Sequence, residues 1–208
     1  MSQSKKLSSQ VKIAAKAKNK QVRVYCEGEA TENNYLIHWY RRYRDRIIVS
    51  IAEHGETSPL QIVQRAAREK KRDEKEQSRG KGDAFDEYWC VFDVDEHPFV
   101  PEALQTARDN GIHIALSNPC LELWFMLHFD NQQAWIHRHD AQKCSEGHLG
   151  CKKRLTPAAL TALDEKIEHA KKRAIELDKK HLLDGTTLPA NPSTGMWKLI
   201  DEIRGVSQ

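Results

Sequence analysis

The chain has 208 residues, of which 39% are hydrophobic and 30% charged, with a formal net charge of +3. That length supports one generous core, or a core with an accessory lobe. No apolar run approaches the length that spans a bilayer and no signal peptide opens the chain, so membrane-spanning and secreted disulfide classes drop out and a cytoplasmic protein is expected.

The distribution of charge says more than its sum. Six lysines and Arg23 precede Glu27, with no acidic residue among them. Residues 1–20 therefore read as a basic leader, which either tracks a phosphate backbone or is simply a solvated tail. "VRVYC", 22–26, is the first β-prone run, and "EGEATENNY" follows it at once. Thr31 or Asn33 is expected to cap a helix with Leu36, Trp39, Tyr40 and Tyr43 at helical spacing. "RIIVSIAE", 46–53, is the second strand, and Ser58 with Pro59 starts a charged helix to about Gln77. "EYWCVFDVD" is the third strand. Pro98 and Pro101 reset the chain, a helix ends at Gly111, and "IHIALS", 112–117, is the fourth strand. In "NPCLELWFMLHF", Asn118 is expected to cap a buried helix with Pro119 at its first position. From about 130 to 155 no period is visible and a polar, loop-rich insertion is expected. Thr156 and Pro157 then start a helix with Leu160, Leu163, Ile167, Ala170, Ala174 and Leu177 on one stripe, and "MWKLIDEI" is a last short helix. Strands alternating with helices predict an α/β layered domain over 21–208, with a mostly parallel four-stranded sheet flanked by helices and a helical C-terminal part from about 131. Cys26, Cys90 and Cys120 sit in apolar runs and read as small buried hydrophobes.

In parallel α/β sheets ligands gather at the carboxyl ends of strands. Here strand one ends on Glu27 and strand three on Asp93 and Asp95. Strand four ends on Ser117, ahead of a helix carrying Glu122, and Glu32 lies in the first turn after strand one. If strands one, three and four are neighbours, these carboxylates converge. An all-oxygen set suits Mg²⁺ or Mn²⁺ rather than zinc, and its natural chemistry is phosphoryl transfer. The blander alternative is that these acids merely end strands and cap helices.

"VYCEGEATENNY" followed by "CVFDVDEHP" resembles the Toprim domain, marked by a glutamate after the first strand and an Asp-x-Asp after a later one. The fuller pattern resembles the RloB-like proteins, a bacterial family that includes abortive-infection proteins of the AbiLii kind. The matching stretches are Cys26 to Tyr35, Phe92 to Asp95, Ser117 to Phe129 and the later "NPSTGMWKL", together spanning about 21–204. The resemblance implies a Toprim fold, Rossmann-like in its layering, with divalent metal and a role in anti-phage defence beside an ATPase partner. Glu27 becomes a metal ligand or general acid/base, Asp93 and Asp95 metal ligands, and Glu122 and Glu32 the carboxylates of a second metal site. Family members often carry Tyr-x-Lys where this chain has Cys151-Lys152-Lys153. The tyrosine is missing, and Lys153 stays as a phosphate contact. Apart from the resemblance, Ser117 is expected to contact substrate, and His97, just beyond Asp95, is either a phosphate contact or equally a solvated loop residue before Pro98.

The function expected is therefore metal-dependent cleavage of nucleic acid (RNA, tRNA among it, or DNA) by an abortive-infection effector, with a possible homodimer. The alternative is a non-catalytic sensing or regulatory subunit that binds an ATPase partner or a phosphorylated ligand. No P-loop occurs, so nucleotide hydrolysis of that type is excluded. The Asp-x-Asp sits after the wrong strand for a HAD phosphatase, and no strand-cleaving tyrosine domain for a topoisomerase is present. His137, His139, Cys144, His148 and Cys151 crowd into fifteen residues, but their spacing matches no standard zinc finger and a polar loop is preferred. His128 is expected to bond a backbone carbonyl in the core rather than orient a ligand.

Overall fold

The alternation of apolar runs and helical periods folds into two helical layers around one sheet. The computed structural model describes residues 19–56, 58–94, 97, 99–186 and 189–206. Residues 1–18 of the basic leader, and Asp95 with Glu96 and Pro98, lie outside them. The elements run β1 (Lys20–Cys26), α1 (Thr31–Tyr43), β2 (Ile47–Ile51), α2 (Pro59–Ser78), β3 (Glu87–Asp93), α3 (Val100–Asn110), β4 (His113–Asn118), α4 (Glu122–Leu127), α5 (Arg138–Leu149), α6 (Pro157–Glu165), α7 (Ile167–Leu183), β5 (Ser193–Thr194) and α8 (Met196–Arg204).

The sheet order is β2-β1-β3-β4-β5, and every pairing is parallel except β4 with β5. Strands one, three and four are thus neighbours, the arrangement on which convergence of the carboxylates depended. In register, Cys26 lies opposite Val91, and Asp93 opposite Ser117. Side chains alternate across the sheet. Val22, Val24, Trp89, Val91 and Ala115 pack under α1 and α4 to α8, while Tyr25, Tyr88, Cys90, Phe92 and Leu116 pack under α2 and α3. At the centre of the first layer Trp124 donates its indole N–H to the Tyr35 hydroxyl at 2.8 Å, and Tyr35 meets Phe125 edge-on at 5.2 Å. Cys26, Cys90 and Cys120 are buried and unbridged.

Five local expectations are corrected. A fifth strand exists: Ser193 and Thr194 pair antiparallel with β4, and Gly195 passes so close that an added Cβ would stand 3.4 Å from the Leu116 backbone nitrogen. A two-residue polar strand carries no period to read. Helix α1 begins at Thr31 without a side-chain cap, because the Thr31 hydroxyl donates instead to the Lys153 carbonyl at 2.7 Å. Helix α4 begins at Glu122, not Pro119, because Asn118 remains in β4 opposite Ser193 and its amide donates to the Pro189 carbonyl at 3.0 Å. The predicted loop after 130 contains α5. It was illegible because its buried stripe is only Ala141, Ser145 and Leu149, two of them small. The helix from Thr156 is two helices broken at Lys166, whose φ of −109° leaves the helical range; the Thr156 cap itself forms, accepting from the Ala159 N–H at 3.2 Å.

Candidate functional site

The β1 backbone ends in register with β3: the Glu27 N–H donates to the Val91 carbonyl at 3.0 Å. This fixes the Glu27 side chain beside the end of β3. One of its oxygens accepts from the Asp93 N–H at 3.3 Å, and the other meets His97 Nε2 at 3.0 Å. A carboxylate only accepts, so the His97 proton in this contact sits on Nε2. The turn after Glu27 is Gly28, where an added Cβ would collide with the Glu32 carboxylate. Glycine here lets the first turn of α1 fold that carboxylate back over the strand ends. Glu122, the first residue of α4, enters from the β4 side.

Glu27, Glu32, Asp93 and Glu122 line one cleft of about 490 Å³, together with Gly28, Glu29, Thr31, His54, Arg138, Gln142 and Lys153. Among the described residues lining it, five carboxylates face two cations, Arg138 and Lys153. Burial, then the charges of Glu32, Glu122 and Glu27, push the Asp93 carboxyl well above the usual carboxylate range, with Arg138 pulling the other way. Burial, and less strongly the charges of Glu122 and Glu27, push Glu32 up as well, against backbone hydrogen bonds at Glu32 itself and Gly28. Cys26 and Cys120, buried next to these acids, are held as thiols by the same two causes. Such mutual repulsion is what a divalent cation relieves. The donor set is carboxylate oxygen throughout, which fits a hard ion such as Mg²⁺ or Mn²⁺.

Of the residues the sequence singled out, Glu27, Glu32, Asp93 and Glu122 come together, His97 contacts Glu27, and Lys153 lies at the rim. Asp95 lies outside the described residues. Ser117 is elsewhere: it is 1% exposed, and its hydroxyl is paired with that of Thr194 at 2.9 Å, so it holds β5 to β4 rather than meeting a substrate. His128 is likewise a core residue. Its Nδ1 donates to the Trp124 carbonyl at 2.8 Å, and burial lowers its pKa to about 3. Sequence reasoning missed Arg138 and Gln142, one turn apart on α5 and both facing the cleft. The only signal for them was the αL glycine that ends their helix, Gly150. The cleft runs on into a hollow of about 380 Å³ lined by Phe125, Ser145, Cys151 and Lys152. A separate hollow beside β4 and β5 carries Arg108, Asp178 and Lys198 but no cluster of like charges.

Among the described residues, no helix is long and apolar enough to cross a membrane. No curated protein matches the chain. The model of the family described as RloB-like protein matches residues 22–203, a span that runs from within β1 to within α8 and includes every carboxylate of the cleft. The chain belongs to the RloB-like protein family.

Proposed function

We propose that the protein is a metal-dependent nuclease of Toprim type, hydrolysing phosphodiester bonds of RNA, tRNA among it, or of DNA. In this reading it acts as the effector of an anti-phage, abortive-infection system together with an ATPase partner. The observation that carries the activity is the convergence of Glu27, Glu32, Asp93 and Glu122 in one cleft, where burial and the neighbouring carboxylates push Asp93 and Glu32 up.

Glu27, Asp93 and Glu122, with Glu32, would hold Mg²⁺ or Mn²⁺; Asp95 belongs to the set on its sequence position. Bound divalent metal supplies a lowered pKa for water and neutralises charge developing on a phosphoryl group. The chain's own residues do the rest. Glu27 is oriented by the Asp93 N–H on one oxygen and His97 on the other, so its carboxylate does not have to reorganise when substrate arrives. Arg138 and Lys153 supply positive charge at the side of a cleft otherwise acidic, the side on which a phosphate enters. The loop holding Lys153 is tied to the start of α1 through Thr31, which keeps that rim next to Glu32.

The deciding experiment incubates metal-free protein with Mn²⁺ and separate pools of tRNA, single-stranded RNA and duplex DNA, beside Asp93→Asn. Cleavage of one pool that needs Mn²⁺ and disappears in the variant supports the reading. Cleavage that persists in the variant sinks it. No cleavage of any pool, combined with retained defence by the variant alongside the ATPase, would make the protein a non-catalytic subunit.

A further inference from the structure

A second group of donors lies outside the carboxylate cleft. Asp130 follows α4, and Cys144 and His148 stand four residues apart on α5, which places them on one side of that helix. One ligand-capable atom from each lies within 4.8 Å of the other two. His148 Nε2 and the Asp130 carboxylate are 2.6 Å apart. The His148 ring is stacked on Phe129 with centroids 4.7 Å apart and planes 6° from parallel, so its orientation is set by packing and not by the hydrogen bond alone. Lys166 sits 5.6 Å from the centre of the same Phe129 ring, which braces the stack from α6's end.

We propose that Asp130, Cys144 and His148 form a binding site for a borderline divalent transition ion of the Zn²⁺ class, separate from the carboxylate cleft. One oxygen, one sulfur and one imidazole nitrogen make a donor set that hard Mg²⁺ does not select, whereas Zn²⁺ takes all three types at tetrahedral positions. Three protein ligands leave the fourth position to water. On binding, the Cys144 sulfur gives up its proton to solvent, and His148 coordinates through Nε2 as the neutral ring with its proton on Nδ1. The Asp130–His148 hydrogen bond is exchanged for two metal bonds. The ion then ties the segment after α4 to α5, the helix that carries Arg138 and Gln142 into the cleft, and so acts as a brace on that helix.

The test uses full-length protein stripped with chelator under reducing conditions and titrated with Co²⁺. The expected result is a stoichiometric complex with tetrahedral d–d absorption and a thiolate-to-cobalt charge-transfer band. Zn²⁺ displaces the band and Mg²⁺ does not. It vanishes in Cys144→Ser, survives in Cys151→Ser, and survives in Asp93→Asn, which separates this site from the cleft. His148→Gln is expected to weaken Zn²⁺ binding beyond the ~10–100-fold that loss of a merely supporting group costs. Zn²⁺ should also raise the melting temperature of the wild type but not of Cys144→Ser. Absence of a thiolate band in the wild type, or its persistence in Cys144→Ser, overturns the proposal.

Discussion

Two donor clusters flank the same pair of helices, and they differ in how they tolerate their own charge. Glu122 opens α4 and Asp130 follows its end; Arg138 and Gln142 look from α5 into the cleft, while Cys144 and His148 look to the other cluster. Asp130 and His148 satisfy each other at 2.6 Å and stand exposed, so that cluster is at rest without an ion. Glu27, Glu32, Asp93 and Glu122 crowd like charges into one cleft, where burial and those charges push the Asp93 and Glu32 carboxyls above their usual values. Proteins hold like charges together where function requires it, and stability is lost for it. The contrast predicts that removing charge from the cleft harms activity while helping the metal-free fold.

The largest effect expected is on catalysis. Asp93→Asn or Glu27→Ala should lower Mn²⁺-dependent cleavage by ~10²–10³-fold or more, the range for loss of a principal electrostatic stabiliser. Circular dichroism should show an unchanged fold, since neither side chain supports the core. Retained cleavage in both variants would mean that the strained cluster is not the reacting centre.

Gly28→Ala comes next, and it probes geometry without touching a ligand. Its Cβ collides with the Glu32 carboxylate and must push it from the strand ends. Mn²⁺ affinity measured by calorimetry should fall ~10-fold or more, as when a supporting group is lost. The same substitution should leave Co²⁺ binding at Cys144 untouched. If Mn²⁺ affinity does not change, Glu32 is not part of the ion's surroundings.

How much of this could be read beforehand depended on the length scale of each signal. The carboxylates were legible because strand ends are marked by sharp changes from apolar to acidic, as at Cys26–Glu27 and Phe92–Asp93, and a parallel sheet puts such ends side by side. The order β1-β3-β4 completed the inference. Ser117 misled because a strand-end hydroxyl looks the same whether it meets a ligand or an edge strand; what decides it is Thr194, seventy-seven residues on. Arg138 and Gln142 were hidden in a helix with almost no apolar stripe, formed because its neighbours bury Ala141 and Leu149 and not because of its own pattern. The pairing of Cys144 and His148 with Asp130 was invisible for the same reason: a stretch read as loop has no helical face on which two residues four apart can meet.

A smaller effect, and of opposite sign to the loss of activity, is expected in stability. The Asp93 carboxyl is raised above its usual value of 3.8, so the folded chain binds more protons than the unfolded one above that pH. Metal-free stability should therefore fall as pH rises from about 4 through the raised value. Asp93→Asn removes this slope. At pH 8 with chelator, its melting temperature should exceed that of the wild type, by ~2–4 °C for each kcal/mol of repulsion relieved in a chain of this size. Saturating Mn²⁺ should close the gap by stabilising only the wild type. A variant less stable than the wild type under chelator would show that Asp93 is held by its surroundings and not strained by them.

The smallest effect isolates the far end of α4, where burial acts on a base instead of an acid. His128 is 1% exposed and its pKa falls from 6.5 to about 3, so between these values the unfolded chain binds the extra proton. Its contribution is complete above pH 6.5 and is lost as pH falls through that window, the reverse of the Asp93 slope. The two oppose each other in mild acid, and wild-type stability there should be flatter than either group alone would make it. His128→Gln keeps an amide able to donate to the Trp124 carbonyl but cannot take up a proton. Urea unfolding at pH 7 and pH 5 should find this variant closer to the wild type at the lower pH, or above it. A difference that stays constant between the two would mean that His128 carries no burial penalty, and that the acid behaviour of the chain belongs to the cleft alone.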